Sequence, residues 1–498
     1  MALRIKYRVN KKVYTNESEF LKIEIIENKK VILHPTTKIE LISAIAIKPY
    51  DKKALIYCNG FQTWTDSGEY SYGMSTLHLG PLAQITNPIF QFKVVSDYSW
   101  CKQDKLVSHT YTYLKRGDMY TFIGTLNERS GFTSFHFKKH LEIHKDVEGL
   151  SIDSDFVLFD FYVKEGNLDE SLDEYFNLLN VKKCEVPYVL GYTSWYRHYQ
   201  NINEEKLLDD LNALTSVEGY NPHLFQIDDG YQTFVGDWLD IDKNKFPNGL
   251  KPVVDAIKEK GLVPGLWFAP FIVEKNSRIR KEHPDWILMR GAYNWSGMYH
   301  LDLTKQEVKD YLHEVFTYYK ELGFKFFKLD FLYAACSVPQ NGKTRAMLMY
   351  EAMEFLRSEL EGCYILGCGV PLSSAFGVVE YCRIGQDVSL SDDSPWYMRL
   401  CHRERVSTKL TIKNTIARSH LDHRAFGNDP DVFVLRKTKM SEYMRLKLFK
   451  SNIEHGSLIL TSDNILELDD IDKDRLINLS KLIDEKNKSN NYIPLNKK

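Results

Sequence analysis

The sequence has 498 residues, enough for two or three domains with a sizeable core in at least one. Lys+Arg 65 against Asp+Glu 67 leaves a net charge of -2, which excludes the basic footprint that nucleic acid or an anionic membrane requires, while 43% hydrophobic and 27% charged residues is ordinary for a soluble globular chain. The eight cysteines (58, 101, 184, 336, 363, 368, 382, 401) form no zinc-type pair, and the first residues, MALRIKYRVNKK, lack the apolar run of a signal peptide; free thiols, no metal, no cofactor, no membrane span and a cytoplasmic chain are expected.

Residues 1–185 alternate apolar and polar positions in short runs separated by turn residues, as in Lys30–His34, Ala54–Tyr57 and Asp155–Val163. So many strands with few helical stretches predict an antiparallel β-sandwich. The pattern changes near Pro187: apolar runs beginning at Tyr188, Leu224, Val263, Phe324, Tyr364, Val379, Val432 and Leu458 alternate with amphipathic stretches. Eight such units predict a (β/α)8 TIM barrel over 186–486, giving a multidomain α+β chain. Asn203 precedes a helix with Leu207, Leu208, Leu211 and Leu214 on one face, and Thr304 with Glu307 has the spacing of a capping box before a stripe that Gly323 closes. The last helix is expected around Asp470 to Lys486, followed by a polar tail, 487–498, expected to fray.

Barrel enzymes carry their chemistry at the C-terminal ends of the strands, so polar groups there are informative. Phe324–Phe331 ends in Lys328 and Asp330, two apart and therefore on one side of a strand. A lysine there would keep the carboxylate ionised, as a nucleophile requires, although a strand-end salt bridge accounts for the pair as well. Arg383-Ile-Gly-Gln-Asp387 follows the sixth run, placing Asp387 where a carboxyl of raised pKa can protonate a leaving oxygen and Arg383 where it can bind a hydroxyl. Asp228 and Asp229 end the second run; paired acids hold sugar hydroxyls, or simply make an Asx-turn. Trp267 and Trp195 end the third and first runs, as walls for a sugar ring or as core. Two carboxylates flanking one site is the glycosidase solution to leaving-group protonation and oxocarbenium stabilisation.

The segments NGFQTW (59–64), IDDGYQ (227–232), GDW (236–238), PGLWFAPF (264–271), HPDW (283–286), LDLT (301–304), FKLDF (327–331), GCGVPL (367–372), RIGQD (383–387) and NDPD (428–431) resemble, in that order, the microbial α-galactosidases of glycoside hydrolase family 36, especially its compact thermophile-type members. The resemblance implies retaining hydrolysis of terminal α-linked galactose by double displacement, with Asp330 attacking the anomeric carbon and Asp387 as acid/base. It further implies that Asp228 and Asp229 bind the galactose 4- and 6-hydroxyls and that Lys328 and Arg383 bind other ring hydroxyls. Trp195, Trp267 and Cys368 would then shape the pocket, and Trp64 would reach across from the β-sandwich.

This chain departs from the family pattern at several points. Gln386 stands where proline is usual, Asp422-His423 reverses the usual order, and the small C-terminal β domain is expected to be absent or a stub. Asp392 and Asp393 are weaker rivals for the acid/base role. His136, His140 and His144, at spacing four, read as a surface row on a strand, and His420, Asp422, His423, Asp429 and Asp431 as a structural network. Activity on N-acetylgalactosaminides, α-galactosyl transfer, and a sugar-binding protein with an inactive barrel stay open, as does homo-oligomer formation.

Overall fold

The computed structural model describes residues 1–77, 104–291, 294–398 and 404–497. Cys101 and Cys401 therefore lie outside the described residues; the six described cysteines are unpaired thiols. Two seven-stranded antiparallel sheets occupy the N-terminal part. The first is built around Ala2–Val9, Ile39–Lys48, Leu141–Lys145 and Thr133–Phe137, the second around Lys30–Pro35, Phe156–Gly166, Met119–Thr125 and Tyr111–Arg116. Strand alternation points Ile5 and Tyr7, Ala44 and Ala46, and Val31 and Leu33 inward, and these residues of both sheets share one apolar cluster.

The second half forms a nine-segment, all-parallel sheet, in the order Gly427–Asp429, Tyr381–Arg383, Tyr364–Gly367, Phe326–Leu329, Val263–Phe268, Leu224–Ile227, Val189–Thr193, Leu458–Thr461, Val432–Phe433. This is a TIM-like barrel sheet. Its two end segments, separated in the chain by Pro430 and by Asp431 at φ 72°, are pieces of the seventh run. Pro430 has no N–H to continue a ladder, so the run breaks there; Gly427–Asp429 pairs with Tyr381–Arg383, and Val432–Phe433 with Leu458–Thr461. The fourth and sixth runs become strands at Phe326 and Tyr381, later than the expected Phe324 and Val379. Between the third and fourth strands the chain makes an antiparallel excursion of Ile272–Glu274, Ile287–Arg290 and Met298–Leu301.

Several local expectations need correction. Helix Glu204–Leu214 is capped by the Asn203 side chain as expected, but Gln306–Leu322 has no capping box: Thr304 Oγ1 donates to Asp302 Oδ1 at 2.7 Å. Gly323 does close that helix, in the left-handed conformation at φ 113°. The histidines are not a surface row: His136 is fully buried, bonded to Asp104 Oδ2 at 2.9 Å, and its ring lies 4.2 Å from that of His144 on the adjoining strand. The C-terminal tail is pinned rather than frayed. The last helix, Asp470–Ser489, runs past Lys486, Asn487 exchanges hydrogen bonds with the backbone of Tyr188, and Leu495 is buried.

The β region and the barrel are locked together by polar groups as well as by packing. Tyr111 Oη lies 2.7 Å from His420 Nε2, and Tyr57 Oη donates to the carbonyl of Ala417. Arg418, fully buried, donates to the carbonyls of Gln62, Thr63 and Thr65 from the β region and of Ile384 from the barrel. This guanidinium fixes the loop that carries Trp64.

Candidate active site

A cavity of about 490 Å³ opens at the C-terminal ends of the barrel strands. Its wall holds Trp64, Trp195, Asp228, Asp229, Trp267, Lys328, Asp330 and Asp387, eight of the ten residues expected at a site. Arg383 and Cys368 are buried behind that wall. Asp392 and Asp393 face elsewhere: Asp392 accepts from Ser441 at the start of helix Glu442–His455, and Asp393 accepts from Ser407 Oγ at 2.8 Å.

Asp330 follows directly on strand Phe326–Leu329, and both of its oxygens are held. Oδ2 accepts from the indole of Trp267 at 3.0 Å and Oδ1 from the backbone N–H of Phe331 at 2.8 Å. Phe331 itself lies in the left-handed region at φ 54°. Burial pushes the Asp330 carboxyl above its usual range; the charge of Lys328 and the two N–H donors pull the other way. Lys328 does not bond Asp330 directly, contrary to expectation. Its ammonium sits 2.9 Å from Asp228 Oδ2, because Asp228 ends the strand two places along the sheet and is itself buried.

Asp228 also accepts from Gln226 and Thr193, and its backbone N–H is held by Ser194 Oγ. Burial raises its carboxyl, yet the ion pair with Lys328 and these hydrogen bonds outweigh it and leave the group below its ordinary value. Asp229 accepts from Gln200, Gln232 and the indole of Trp295, at 2.7, 2.6 and 3.2 Å, but burial prevails and its carboxyl is raised. The two acids are thus cavity-wall groups with satisfied inner lone pairs.

Across the cavity, Asp387 sits beyond strand Tyr381–Arg383, its Oδ1 2.8 Å from Arg383 Nη1. The Asp387 side chain is 39% exposed where that of Arg383 is 3% exposed. The other guanidinium nitrogens reach Asp429 Oδ2 at 2.9 Å and Asp431 Oδ1 at 2.8 Å. Each of the three guanidinium nitrogens of Arg383 thus reaches a carboxylate, and the side chain lies behind the wall.

Trp64 arrives from the N-terminal loop. Gly369 N donates to Thr63 Oγ1 and Thr63 N to the carbonyl of Val370, docking the loop on the end of the fifth strand. Gly369 has φ 58°, and a β-carbon there would stand 2.9 Å from the Trp64 ring, so only glycine fits. Sequence reasoning missed Tyr196, Gln200, Asn294, Trp295, Phe331, Met398, Glu404, Arg405 and Val406, all on the wall. Tyr196 and Gln200 lie just past the first strand, where a wider reading of strand ends finds them. Trp295 enters from the excursion and had no strand-end signal. Among the described residues no cluster of histidine, cysteine, aspartate and glutamate has the arrangement of a metal site, and no helix is long and apolar enough to cross a membrane.

Residues 179–369 match the family model described as Melibiase. Among curated proteins, an α-galactosidase of Lactobacillus acidophilus is 33% identical over 131 residues, and one of Escherichia coli is 36% identical over 135. These matches take in 24 and 25% of this chain and only 17 and 18% of the relatives' length. Among solved structures, the α-galactosidase TtGalA of Thermus thermophilus, in complex with p-nitrophenyl α-D-galactopyranoside, superposes with a TM-score of 0.74 at 23% identity, covering 96% of this chain and 94% of that one. The α-galactosidase AgaA of Geobacillus stearothermophilus gives 0.62 at 12% identity, covering 97 and 73%. Residues 179–369 thus resemble the melibiase family, and the chain as a whole shares the fold of these α-galactosidases.

Proposed function

We propose that the protein is a retaining α-galactosidase that removes terminal α-linked galactose from oligosaccharides. The observation that carries the reading is the pair of unlike carboxylates on one cavity: Asp330, buried with both oxygens held by N–H donors, and Asp387, half-exposed on the other side. In this reading an Asp330 oxygen attacks the anomeric carbon while Asp387 gives its proton to the glycosidic oxygen, and the leaving alcohol departs. Asp387 then takes a proton from water, which attacks the same carbon and releases Asp330. Asp228 and Asp229 receive the galactose 4- and 6-hydroxyls, Lys328 a further hydroxyl, and Trp64, Trp195 and Trp267 enclose the ring, with Cys368 behind them. A cavity of about 490 Å³ suits a sugar ring and part of its aglycone.

The same reading treats residues 1–185 as a β-sandwich domain that lends Trp64 to the site, and 186–486 as a (β/α)8 barrel closed through the interrupted seventh strand, with 487–498 as a C-terminal appendage. Proton NMR of p-nitrophenyl α-galactoside hydrolysis tests the function. Galactose appearing first as the α anomer supports it. The β anomer first contradicts double displacement. No turnover of the galactoside, together with turnover of the N-acetylgalactosaminide, moves the activity to the 2-substituted sugar.

A further inference from the structure

Asp431 has no role in the chemistry described above, yet it contacts the loop that bears Asp387 in two ways. One oxygen, Oδ1, lies 2.8 Å from Arg383 Nη2, and the opposite nitrogen of that guanidinium holds Asp387. The other, Oδ2, accepts from the backbone N–H of Val388, the residue after Asp387, at 2.7 Å, and from the hydroxyl of Tyr196. Asp431 is itself held: its N–H donates to Asp429 Oδ1 at 2.9 Å, and Asp429 takes the Nε of Arg383. A guanidinium is a flat, rigid fork, so two buried carboxylates on two of its sides fix the direction of the third. Asp431 also adopts φ 72°, rare for a residue with a side chain and costly to hold. The surrounding bonds maintain a conformation that aims its carboxyl at both Arg383 and Val388.

We propose that Asp431 is the positioning residue of Asp387, setting through Arg383 and the Val388 N–H the direction from which the acid/base proton reaches the glycosidic oxygen. The proposal rests on the acid/base reading of Asp387. The charged and titratable groups facing Asp431 are Arg383, Asp387, Asp429 and Tyr196, so one cation is shared among three carboxylates. Burial raises the Asp431 carboxyl, with Asp387 and Asp429 pushing the same way against Arg383, so this cluster can carry a proton beside the acid/base.

The test compares kcat/KM for methyl α-galactoside, whose alkoxide must be protonated to leave, with p-nitrophenyl α-galactoside, whose phenolate leaves largely unaided. In Asp431→Asn one acceptor oxygen becomes a donor, so either Arg383 or the Val388 N–H loses its acceptor. The expected loss on the methyl glycoside is at least about tenfold larger than on the nitrophenyl glycoside. Tyr196→Phe shifts the ratio in the same direction by less, and carries the comparison if Asp431→Asn does not fold. Equal losses on both substrates, or none on either, overturn the proposal. Asp387→Asn run in parallel separates the two ideas: without leaving-group dependence there, the acid/base reading itself is wrong. A crystal structure of Asp431→Asn decides positioning without turnover. Asp387 turned away from Arg383 supports it; Asp387 unmoved contradicts it.

Discussion

The two sides of the cavity solve the problem of buried carboxylates differently. On the side of the second to fourth strands each acid has its own donors: Lys328 for Asp228, the Trp267 and Phe331 N–H groups for Asp330, and two glutamines with Trp295 for Asp229. On the side of the sixth and seventh strands a single guanidinium serves Asp387, Asp429 and Asp431. Separate donors fix the direction of each carboxylate, and only Asp228, which has the cation, is held below its ordinary value while burial raises Asp229 and Asp330. A shared cation leaves three carboxylates around one positive charge, and burial with the neighbouring acids raises the Asp431 carboxyl. The proposed nucleophile, Asp330, stands on the first side with both oxygens held, and the proposed acid/base, Asp387, on the second, partly exposed beside the shared guanidinium.

The contrast can be broken by substitution. Asp330→Asn removes the attacking oxygen and is expected to lower kcat/KM by roughly 10⁴-fold or more on every galactoside. Asp387→Asn is expected to cost about 10²–10⁴-fold on the methyl glycoside and far less on the nitrophenyl one, because only the former needs the proton. Equal leaving-group sensitivity in both variants would erase the distinction between the two sides. Next in size, Lys328→Met leaves Asp228 buried without its cation, and unfolding experiments at neutral pH should show a loss of about 3–5 kcal/mol.

Asp228 and Asp431 should also answer pH with opposite sign, over different windows. Asp228 is below its ordinary carboxylate value when folded, so the stability it contributes is present above the unfolded value of 3.8 and is lost as pH falls. Asp431 is pushed by burial up to about 7, so its contribution is complete below 3.8 and is lost as pH rises through about 7. Relative to the unmodified protein, the melting temperature of Asp431→Asn should therefore rise as pH increases from 3.8 to about 7, while that of Asp228→Asn should stay level over that range and recover only as pH falls below 3.8. Parallel curves would show that the cation is not shared as described. The smallest effect is expected at Trp295→Phe. It keeps the ring on the wall but removes the 3.2 Å hydrogen bond to Asp229, and KM should rise about threefold with kcat little changed.

Much of this site was legible because strands report their ends. Apolar runs stop at Asp228, Lys328-x-Asp330 and Arg383, and barrel geometry brings such ends to one rim. Spacing alone misassigned the partner of Lys328: two residues apart on a strand means the same side, but the nearer carboxylate came across the sheet from Asp228. The carboxylate partners of Arg383 could not be read from spacing, because Asp429 and Asp431 lie more than forty positions on, either side of a proline break that no periodicity marks. Trp295 was invisible because it enters on an excursion between two barrel strands, and the supposed surface histidines failed because both faces of strand Thr133–Phe137 are covered. The capping box at Thr304 was a motif match whose hydroxyl found Asp302 first.

The central claim is that Asp330, and not Asp387, forms the bond to the sugar. Incubation with a 2-deoxy-2-fluoro-α-galactosyl fluoride, which slows release of a glycosyl-enzyme, followed by peptide mass spectrometry, reads this directly. The account predicts a single adduct, on the peptide containing Asp330. An adduct on Asp387, or none in a preparation that hydrolyses p-nitrophenyl α-galactoside, would contradict it.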